Sequence, residues 1–537
     1  MTNPFINLTY AESLALVAEE YAEREALIFR DRRYSFTELK AEADAMSARF
    51  FDLGLRSGDK VAILMPNRPE FLFAWLGAAQ MGMVAVMINT RLREEEIAYQ
   101  LAQSESDAVF IPGQGAFRDF VGEIAELTPA LRDGKAGELA SEKLPDLRWV
   151  IVADTPPEGF AGVTDWSAPP PAGLELPPME TDINRPGIIA YSSGTTALPK
   201  GAMIGHQVWR KGWDIGTRVD FGENECLYMA IPLFGSMATM NGVLPFWTRG
   251  AKVVLGEQFD ATACLTAIEA EKVTSMHLLP QIIRQWAEHE ERDKFDTSSL
   301  RVGVVLSISP DVLDMVADDL KVPGAITGYG MTETTTVVTR NRWDDPREVR
   351  HTTQGYVLPD IKLKIVDPET LQELPPNQLG EIWTYGYCNM LGYYNKPKET
   401  ARAMRNDGWF RTGDVGRLDE TGRLTFTGRM GDGYKSRGFN VAPEEIEYIL
   451  ARVEGVSQCA VVGVPDGSDD NIGVAFVIPE KGASLTETDL LDQIRPQLAS
   501  YKMPQKAFFV EEFPLTTGTS KVQKFKLRKD ALARING

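Results

Sequence analysis

Short apolar runs alternate with segments of helical periodicity along most of the chain. The apolar runs are mostly β-branched or aliphatic, and they predict buried strands at residues 61–65, 84–88, 108–111, 150–152 and 253–255. Between these runs, residues 36–51 and 97–103 have the apolar spacing of helices. The alternation predicts an α/β fold with mostly parallel sheets flanked by helices.

Residues 71–88 carry no charged side chain and are long enough to suggest a membrane span. Gly77, Gln80 and Gly82 interrupt this run, however. We therefore predict a buried helix, a turn at Met81 and Gly82, and a buried strand at 84–88. No integral membrane segment is expected.

The length of 537 residues exceeds what one hydrophobic core usually holds, so more than one domain is expected. The pattern after the glycine-rich stretch 428–438 predicts a further α/β unit with a helix at 443–451, strands at 458–462 and 474–478, and a helix at 487–497. We predict a large N-terminal domain, residues 1–429, and a small mobile C-terminal α/β domain, residues 430–537. Residues 156–178 hold seven prolines and predict a surface loop.

Composition narrows the classes of function. The formal net charge of -20 argues against a nucleic-acid surface, since neutralising phosphates needs clustered Lys and Arg. Any phosphate site should therefore be compact. The four cysteines and four histidines are scattered, with no CxxC pair and no metal-ligand spacing, which predicts reduced thiols in a cytoplasmic protein. The N-terminus also lacks the features of a signal peptide.

The segment 191–201 reads YSSGTTALPKG and follows a short apolar run. Small hydroxyl residues and glycine let a backbone approach a polyphosphate, and Lys200 adds a positive charge. The segment is not a P-loop, because no second glycine precedes the lysine. It predicts a phosphate site, and a Ser/Thr-rich turn is the alternative.

Four further motifs follow along the chain. They are GYGMTE at 328–333, WFRTGD at 409–414, the glycine-rich basic segment at 428–447, and PLTTGTSKVQK at 514–524. Each motif alone is as compatible with a turn, a helix cap or solvated charge as with a site.

In this order and spacing, the motifs resemble the acyl-adenylate-forming superfamily, which includes acyl- and aryl-CoA ligases, peptide-synthetase adenylation domains and firefly-type luciferases. The resemblance covers residues 34–528 and is strongest to fatty-acid and aryl-acid CoA ligases. It implies an acyl-CoA ligase that uses ATP, Mg²⁺ and coenzyme A to activate a small-molecule carboxylic acid. We expect a monomer or homodimer without a nucleic-acid partner.

The resemblance also implies roles for the matched positions. It implies that the phosphates of ATP are bound by Ser192, Ser193, Gly194, Thr195, Thr196 and Lys200. For the rest of the nucleotide it implies Tyr329 on adenine with Gly330 and Met331 beside it, Thr332 on the α-phosphate, Asp414 on the ribose and Arg429 on ribose or phosphate. Glu333 would hold Mg²⁺, and Lys521 would serve the first half-reaction. The chemistry agrees, because a carboxylate attacking an anionic phosphoryl group needs its charge neutralised, and a metal and a lysine do this without proton transfer.

In the second half-reaction, members of this superfamily rotate their C-terminal domain, which brings a glycine-containing loop to the tunnel for the pantetheine arm of coenzyme A. Here that loop would use Lys435, Arg437 and Gly438 toward coenzyme A. His206 matches a histidine that closes the first motif, and a structural role for it is equally open.

The expected acid pocket contains Phe234, Gly235, Met237, His277 and Gly328, and the Met and Phe side chains suggest an apolar acyl or aryl group. Several positions depart from the family pattern, namely Ala197, Gly235, Ser307, Gly431 and Ser520. A fatty, an aromatic and a polycyclic acid all remain open.

Three other functions are alternatives to that of an acyl-CoA ligase. A peptide-synthetase-type activator would need an Asp where Gly235 stands, although transfer to a carrier-protein thiol stays open. Luciferase-like oxygenation has no distinguishing feature in the sequence. A degenerate, non-enzymatic protein is disfavoured because Glu333, Asp414, Arg429 and Lys521 are all present.

Overall fold

The computed structural model describes residues 2–192, 198–307, 310–368, 370–430, 433–441, 443–466, 470–514, 522 and 524–536. At positions 192, 428, 429, 440, 444, 525 and 536 it describes the backbone alone.

Two large sheets, both mostly parallel, form the N-terminal part of the protein. In spatial order, the eight-stranded sheet consists of Gly392–Tyr393, Lys200–Gly205, Pro186–Ser192, Val84–Met87, Lys60–Ile63, Ala108–Ile111, Trp149–Val152 and Val163–Asp165. The seven-stranded sheet consists of Gly324–Ile326, Val302–Val305, Ser275–Leu278, Cys226–Met229, Lys252–Leu255, Glu25–Phe29 and Arg32–Ser35. The five strands expected from the apolar runs are confirmed. They lie inside these sheets, where both faces are covered, which explains their continuous apolar character.

Helices flank the two sheets and connect their strands. In the N-terminal part they are Tyr10–Glu20, Phe36–Asp52, Pro69–Gln80, Glu94–Gln103, Phe120–Leu127, Val208–Val219, Ser236–Ala238, Leu244–Trp247, Ala261–Glu271, Pro280–Ala287, Pro310–Asp318, Arg347–Thr352 and Pro397–Ala403. Capping boxes begin two of them, because the side chains of Thr9 and Ser35 accept from the backbone N–H groups of Glu12 and Glu38, whose carboxylates accept in return.

The charge-free segment 71–88 contributes to the main core. Helix Pro69–Gln80 is buried along its length, and strand Val84–Met87 follows it in the eight-stranded sheet, as predicted. Among the helices that the structure describes, none combines the length and hydropathy required to cross a bilayer.

Two smaller antiparallel sheets carry the central motifs. One contains Gly328–Met331, Thr336–Arg340 and Tyr356–Val357, and the other contains Ile361–Val366, Gly380–Gly386, Phe410–Leu418 and Leu424–Arg429. The motifs at 328–333 and 409–414 therefore lie on strands of different sheets that meet in space.

The C-terminal part is a small α/β unit. Its strands are the hairpin Tyr434–Ser436 and Phe439–Val441, followed by Val456–Pro465, Asn471–Pro479 and Lys506–Phe509. Its helices are Pro443–Leu450, Glu487–Ile494 and Lys524–Asn536. The large α/β part with a small α/β part is the fold class expected from the sequence, while the boundary at 429/430 and the mobility of the small part stay predictions.

Two details of the sequence prediction were wrong. The proline-rich stretch 156–178 contains the strand Val163–Asp165, because its backbone pairs with the sheet edge at Val150–Val152. The strands predicted at 458–462 and 474–478 are each longer, since they form one antiparallel ladder that extends from the pairing of Val456 with Pro479 to that of Pro465 with Asn471.

Candidate active site

The predicted metal ligand Glu333 lies in a short 3-10 turn, Thr332–Thr334, between strands Gly328–Met331 and Thr336–Arg340. Its side chain is 2% exposed, and its Oε1 accepts a hydrogen bond from the Tyr393 hydroxyl at 2.9 Å. The Lys200 Nζ lies 4.5 Å from the centroid of the same tyrosine ring. Tyr393 thus joins the end of the phosphate motif to the predicted magnesium ligand.

The backbone after Glu333 is strained. Thr335 and Thr336 both have positive φ, 49° and 65°, which β-branched residues rarely adopt. The strain is held by burial and by hydrogen bonds: the Thr335 hydroxyl donates to the Cys388 carbonyl at 2.8 Å, and the Thr334 hydroxyl lies 2.8 Å from the Thr336 carbonyl. These contacts fix the turn that presents Thr332 and Glu333.

Tyr329 and Asp414 meet although they are 85 residues apart in sequence. The Tyr329 hydroxyl donates to Asp414 Oδ2 at 2.8 Å, and both residues are 4% exposed. The Tyr329 ring also packs on Phe426 at a centroid distance of 5.3 Å. On the neighbouring strand, the backbone of Arg429 is in register with Asp414. The positions assigned to adenine and ribose are therefore adjacent.

His206 lies in a different environment from the one a proton-transferring residue needs. It is fully buried, its Nδ1 accepts from the Tyr10 backbone N–H at 3.0 Å, and its ring packs edge-on against the Tyr10 ring. Burial lowers the pKa of His206 to about 4. These contacts are those of a structural histidine, and its catalytic role stays a prediction.

The positions expected around the acid lie on three elements. Phe234 and Gly235 are in the turn before helix Ser236–Ala238, which contains Met237, and a Cβ at Gly235 would meet only the Pro232 carbonyl oxygen within 4 Å. His277 lies on strand Ser275–Leu278, and Gly328 begins the strand that leads to Glu333.

The glycine-rich hairpin reaches the same region from the C-terminal part. Arg437 and Gly438 have φ of 52° and 80°, the geometry of a tight two-residue hairpin turn. A Cβ at Gly438 would lie 3.1 Å from Leu279 Cδ2, and Leu279 follows directly on the strand that holds His277. Lys435 and Arg437 are exposed beside this contact.

A buried ion pair holds the small unit in this arrangement. Lys502 Nζ lies 2.6 Å from Glu96 Oε1, in the large part, and 2.8 Å from Glu445 Oε1, in the small part. Burial opposes the charge of Lys502, but Tyr501, Glu445 and Glu96 outweigh this effect and raise its pKa.

Several predicted residues lie outside the described part of the chain. They are Ser193, Gly194, Thr195, Thr196 and Lys521, together with the side chains of Ser192 and Arg429. Within the described ranges, no cluster of three or more His, Cys, Asp or Glu side chains could hold a metal. A single buried carboxylate such as Glu333 suits Mg²⁺, which is often held by one or two carboxylates with the substrate's phosphates completing its shell.

Tyr393 was not predicted from the sequence. It lies in the two-residue strand Gly392–Tyr393 outside every motif, and nothing in its neighbourhood marks it. Only the pairing of that strand with Lys200–Gly205 brings it to the site.

Two family models and several known proteins match this chain. Residues 14–394 match the AMP-binding enzyme family and residues 445–521 match the AMP-binding enzyme C-terminal domain, so the chain belongs to this family and is an adenylate-forming enzyme that binds ATP. It is similar to 4-coumarate–CoA ligase 1 of Solanum tuberosum (33% identity, covering 96% of this chain and 92% of that protein). It is also similar to the mitochondrial medium-chain acyl-CoA ligase of Mus musculus (29% identity, 98% and 88%). Among solved structures, an amide bond synthetase from Marinactinospora thermotolerans has a TM-score of 0.81 at 26% identity, covering 97% of this chain and 99% of that one.

Proposed function

We propose that this protein is an acyl-CoA ligase. It activates a carboxylic acid with MgATP to an acyl-adenylate, releases pyrophosphate, and transfers the acyl group to the thiol of coenzyme A. The observation that supports this most is the convergence of Lys200, Glu333 and the Tyr329–Asp414 pair, which come from three separate segments of the chain.

The first half-reaction uses these residues in separate roles. The Tyr329 ring lies against adenine, and the Asp414 carboxylate accepts from the ribose hydroxyls, since its two oxygens suit a diol. Lys200 and residues 192–196 bind the β- and γ-phosphates. Thr332 donates to the α-phosphate, and Glu333 would hold the magnesium ion, whose charge would offset that of the phosphates. Lys521 adds positive charge at the α-phosphate.

The second half-reaction uses the hairpin at 434–441. The Gly438 turn already abuts Leu279 beside the expected acid pocket, so a slender thiol arm entering there would reach the acyl carbonyl. Lys435 and Arg437 are exposed beside the Gly438 turn, where they attract the phosphates of coenzyme A. The relatives named as CoA ligases support coenzyme A as the acceptor.

The test is a two-stage assay on the whole protein. Fatty, aryl and polycyclic acids are each incubated with MgATP, and pyrophosphate release and the acyl-adenylate mass are followed. Coenzyme A is then added, and AMP release and the thioester mass are measured. Acid-dependent pyrophosphate release without a thioester would leave adenylation standing and remove coenzyme A. An amine, a carrier-protein thiol or oxygen would then be tried as acceptor. No acid-dependent pyrophosphate release would remove adenylation itself.

Asp414→Asn is expected to raise the KM for ATP by about 10- to 100-fold, as loss of a charged hydrogen bond typically costs about 1.5–3 kcal/mol. The KM for the acid should change little. Initial rates of pyrophosphate release give the KM for ATP when ATP is varied at saturating acid, and the KM for the acid when the acid is varied at saturating ATP.

Tyr329→Phe is the matched control for that prediction. It removes the hydroxyl that donates to Asp414 but retains the ring and the carboxylate, so its effect on the KM for ATP should be smaller. An unchanged ATP KM in Asp414→Asn would show that the carboxylate does not touch the nucleotide.

A further inference from the structure

Arg340 is a buried arginine with an incomplete set of partners. It ends the strand Thr336–Arg340, and its side chain is 1% exposed. Its Nη2 donates to Asn241 Oδ1 at 3.1 Å. Within the part of the chain that the structure describes, its Nε and Nη1 have no hydrogen-bond partner, and no carboxylate forms an ion pair with it.

Such an arrangement is unfavourable without a ligand, because a guanidinium taken out of water needs hydrogen bonds and an opposite charge. Burial lowers the pKa of Arg340 to about 9, and no neighbouring acid opposes this shift. The group therefore still carries its charge at neutral pH.

Arg350, a second buried arginine, has the hydrogen bonds expected of a structural residue. Arg350 is 8% exposed, and its Nε and Nη1 donate to the backbone carbonyls of Asp345 and Ala325 at 2.9 and 2.7 Å. Nε and Nη1 of Arg350 thus donate to backbone carbonyls, whereas Nε and Nη1 of Arg340 have no partner among the described residues.

The side chain of Arg340 lies among the positions expected to surround the acid. A Cβ at Gly328 would be only 3.2 Å from Arg340 Nε, so the guanidinium lies directly against this glycine, one of the positions expected around the acid. Asn241, which accepts from Arg340, also contacts Met237 Sδ through its amide nitrogen at 2.6 Å.

His277 faces the same place. Its pKa is lowered to about 3 by burial and, secondarily, by the charge of Arg340, so the ring is neutral. Its Nδ1 has no partner among the described residues. A neutral imidazole and a charged guanidinium thus lie together among the residues expected to surround the acid.

We propose that Arg340 binds a second carboxylate at the far end of the acid substrate, so that the enzyme activates dicarboxylic acids. This inference rests on the proposed function. A carboxylate supplies both the missing negative charge and two oxygens that match the planar N–H donors of a guanidinium. An apolar tail would leave Nε and Nη1 of Arg340 with neither water nor a protein group as a hydrogen-bond acceptor. Met237 and Phe234 then contact the apolar middle of the acid, not its end.

The experiment compares acids of equal length that differ only at the far end. For each aliphatic, aryl and fused-ring acid, the wild-type protein is assayed with a methyl, a ketone and a carboxylate terminus, and kcat/KM for pyrophosphate release is measured. In at least one matched set, the carboxylate-ended acid should be preferred over the methyl-ended acid by about 10²-fold or more.

Two results would overturn the inference while leaving the proposed function intact: equal or better turnover of the methyl-ended acids in every set, or a preference for the ketone. Absence of pyrophosphate release with every acid would remove the proposed function, and the inference with it.

Variants test whether Arg340 is the cause. Arg340→Met should abolish the preference for the carboxylate-ended acid, whereas Arg350→Met, which also removes a buried guanidinium, should leave the ratio of kcat/KM values unchanged. This ratio is independent of the fraction of protein that folds. If Arg340→Met does not fold, the wild-type comparison still decides whether the enzyme prefers an acid with a second carboxylate.

Discussion

Glu333→Gln is expected to lower the rate of adenylate formation by about 10²–10³-fold, the usual effect of removing one preorganised charge-stabilising group from an active site. Glutamine has nearly the same shape, and its amide oxygen can still accept from the Tyr393 hydroxyl, so the fold should survive. What is lost is the negative charge that holds Mg²⁺. Acid-dependent pyrophosphate release, measured over a range of magnesium concentrations, gives the rate and the apparent magnesium affinity.

Two companion variants make this result specific. Tyr393→Phe leaves the carboxylate in place and removes only its hydrogen bond, so a smaller loss is expected. Glu225→Gln changes a partly buried carboxylate that lies just before the strand Cys226–Met229 and is paired with Arg301, and it should leave the magnesium dependence unchanged. Near-normal turnover of Glu333→Gln at ordinary magnesium would exclude Glu333 as the metal ligand.

Gly438→Leu is expected to slow thioester formation by at least about 10²-fold and to leave adenylation nearly unchanged. A side chain at this position would press on Leu279 and occupy the space through which the thiol approaches, and small misplacements of reacting groups typically have effects of this size. The measurement uses a pre-made acyl-adenylate and coenzyme A for the second step, and pyrophosphate release for the first.

Gly422→Leu is the matched control, because Gly422 also has positive φ, 86°, but nothing lies within 4 Å of its Cβ position. It imposes the same kind of backbone strain without the contact, so both half-reactions should persist. Equal loss of the two half-reactions in Gly438→Leu would mean that the hairpin does not act in the thiol step alone.

Lys521→Ala should behave in the opposite way, with adenylation crippled and thioester formation from the pre-made adenylate spared. Its position lies outside the described residues, so this expectation rests on the resemblance of the segment 514–524. Loss of both steps would mean either that the domain rotation does not occur or that Lys521 is misassigned, and in the second case Lys524 or Lys526 becomes the next candidate.

The hydrophobic pattern by itself predicted the fold class and seven of the strands. Buried parallel strands must be continuously apolar, and a helix buried all round must lack charge, so both are visible in local sequence. This is why the charge-free segment 71–88 was predicted as a helix and a strand. The strand Val163–Asp165 was missed because it is an edge strand stabilised by pairing with its neighbour, which leaves little trace in its own residues.

The motifs indicated the chemistry, but only the tertiary structure decided which side chains meet. The order of strands in the sheets brings Tyr329 to Asp414, and it brings the unmarked Tyr393 between Lys200 and Glu333. It also buries Arg340 beside His277, a placement that strand periodicity cannot reveal. Local sequence encodes burial and periodicity, whereas contacts between distant segments depend on how the sheets assemble.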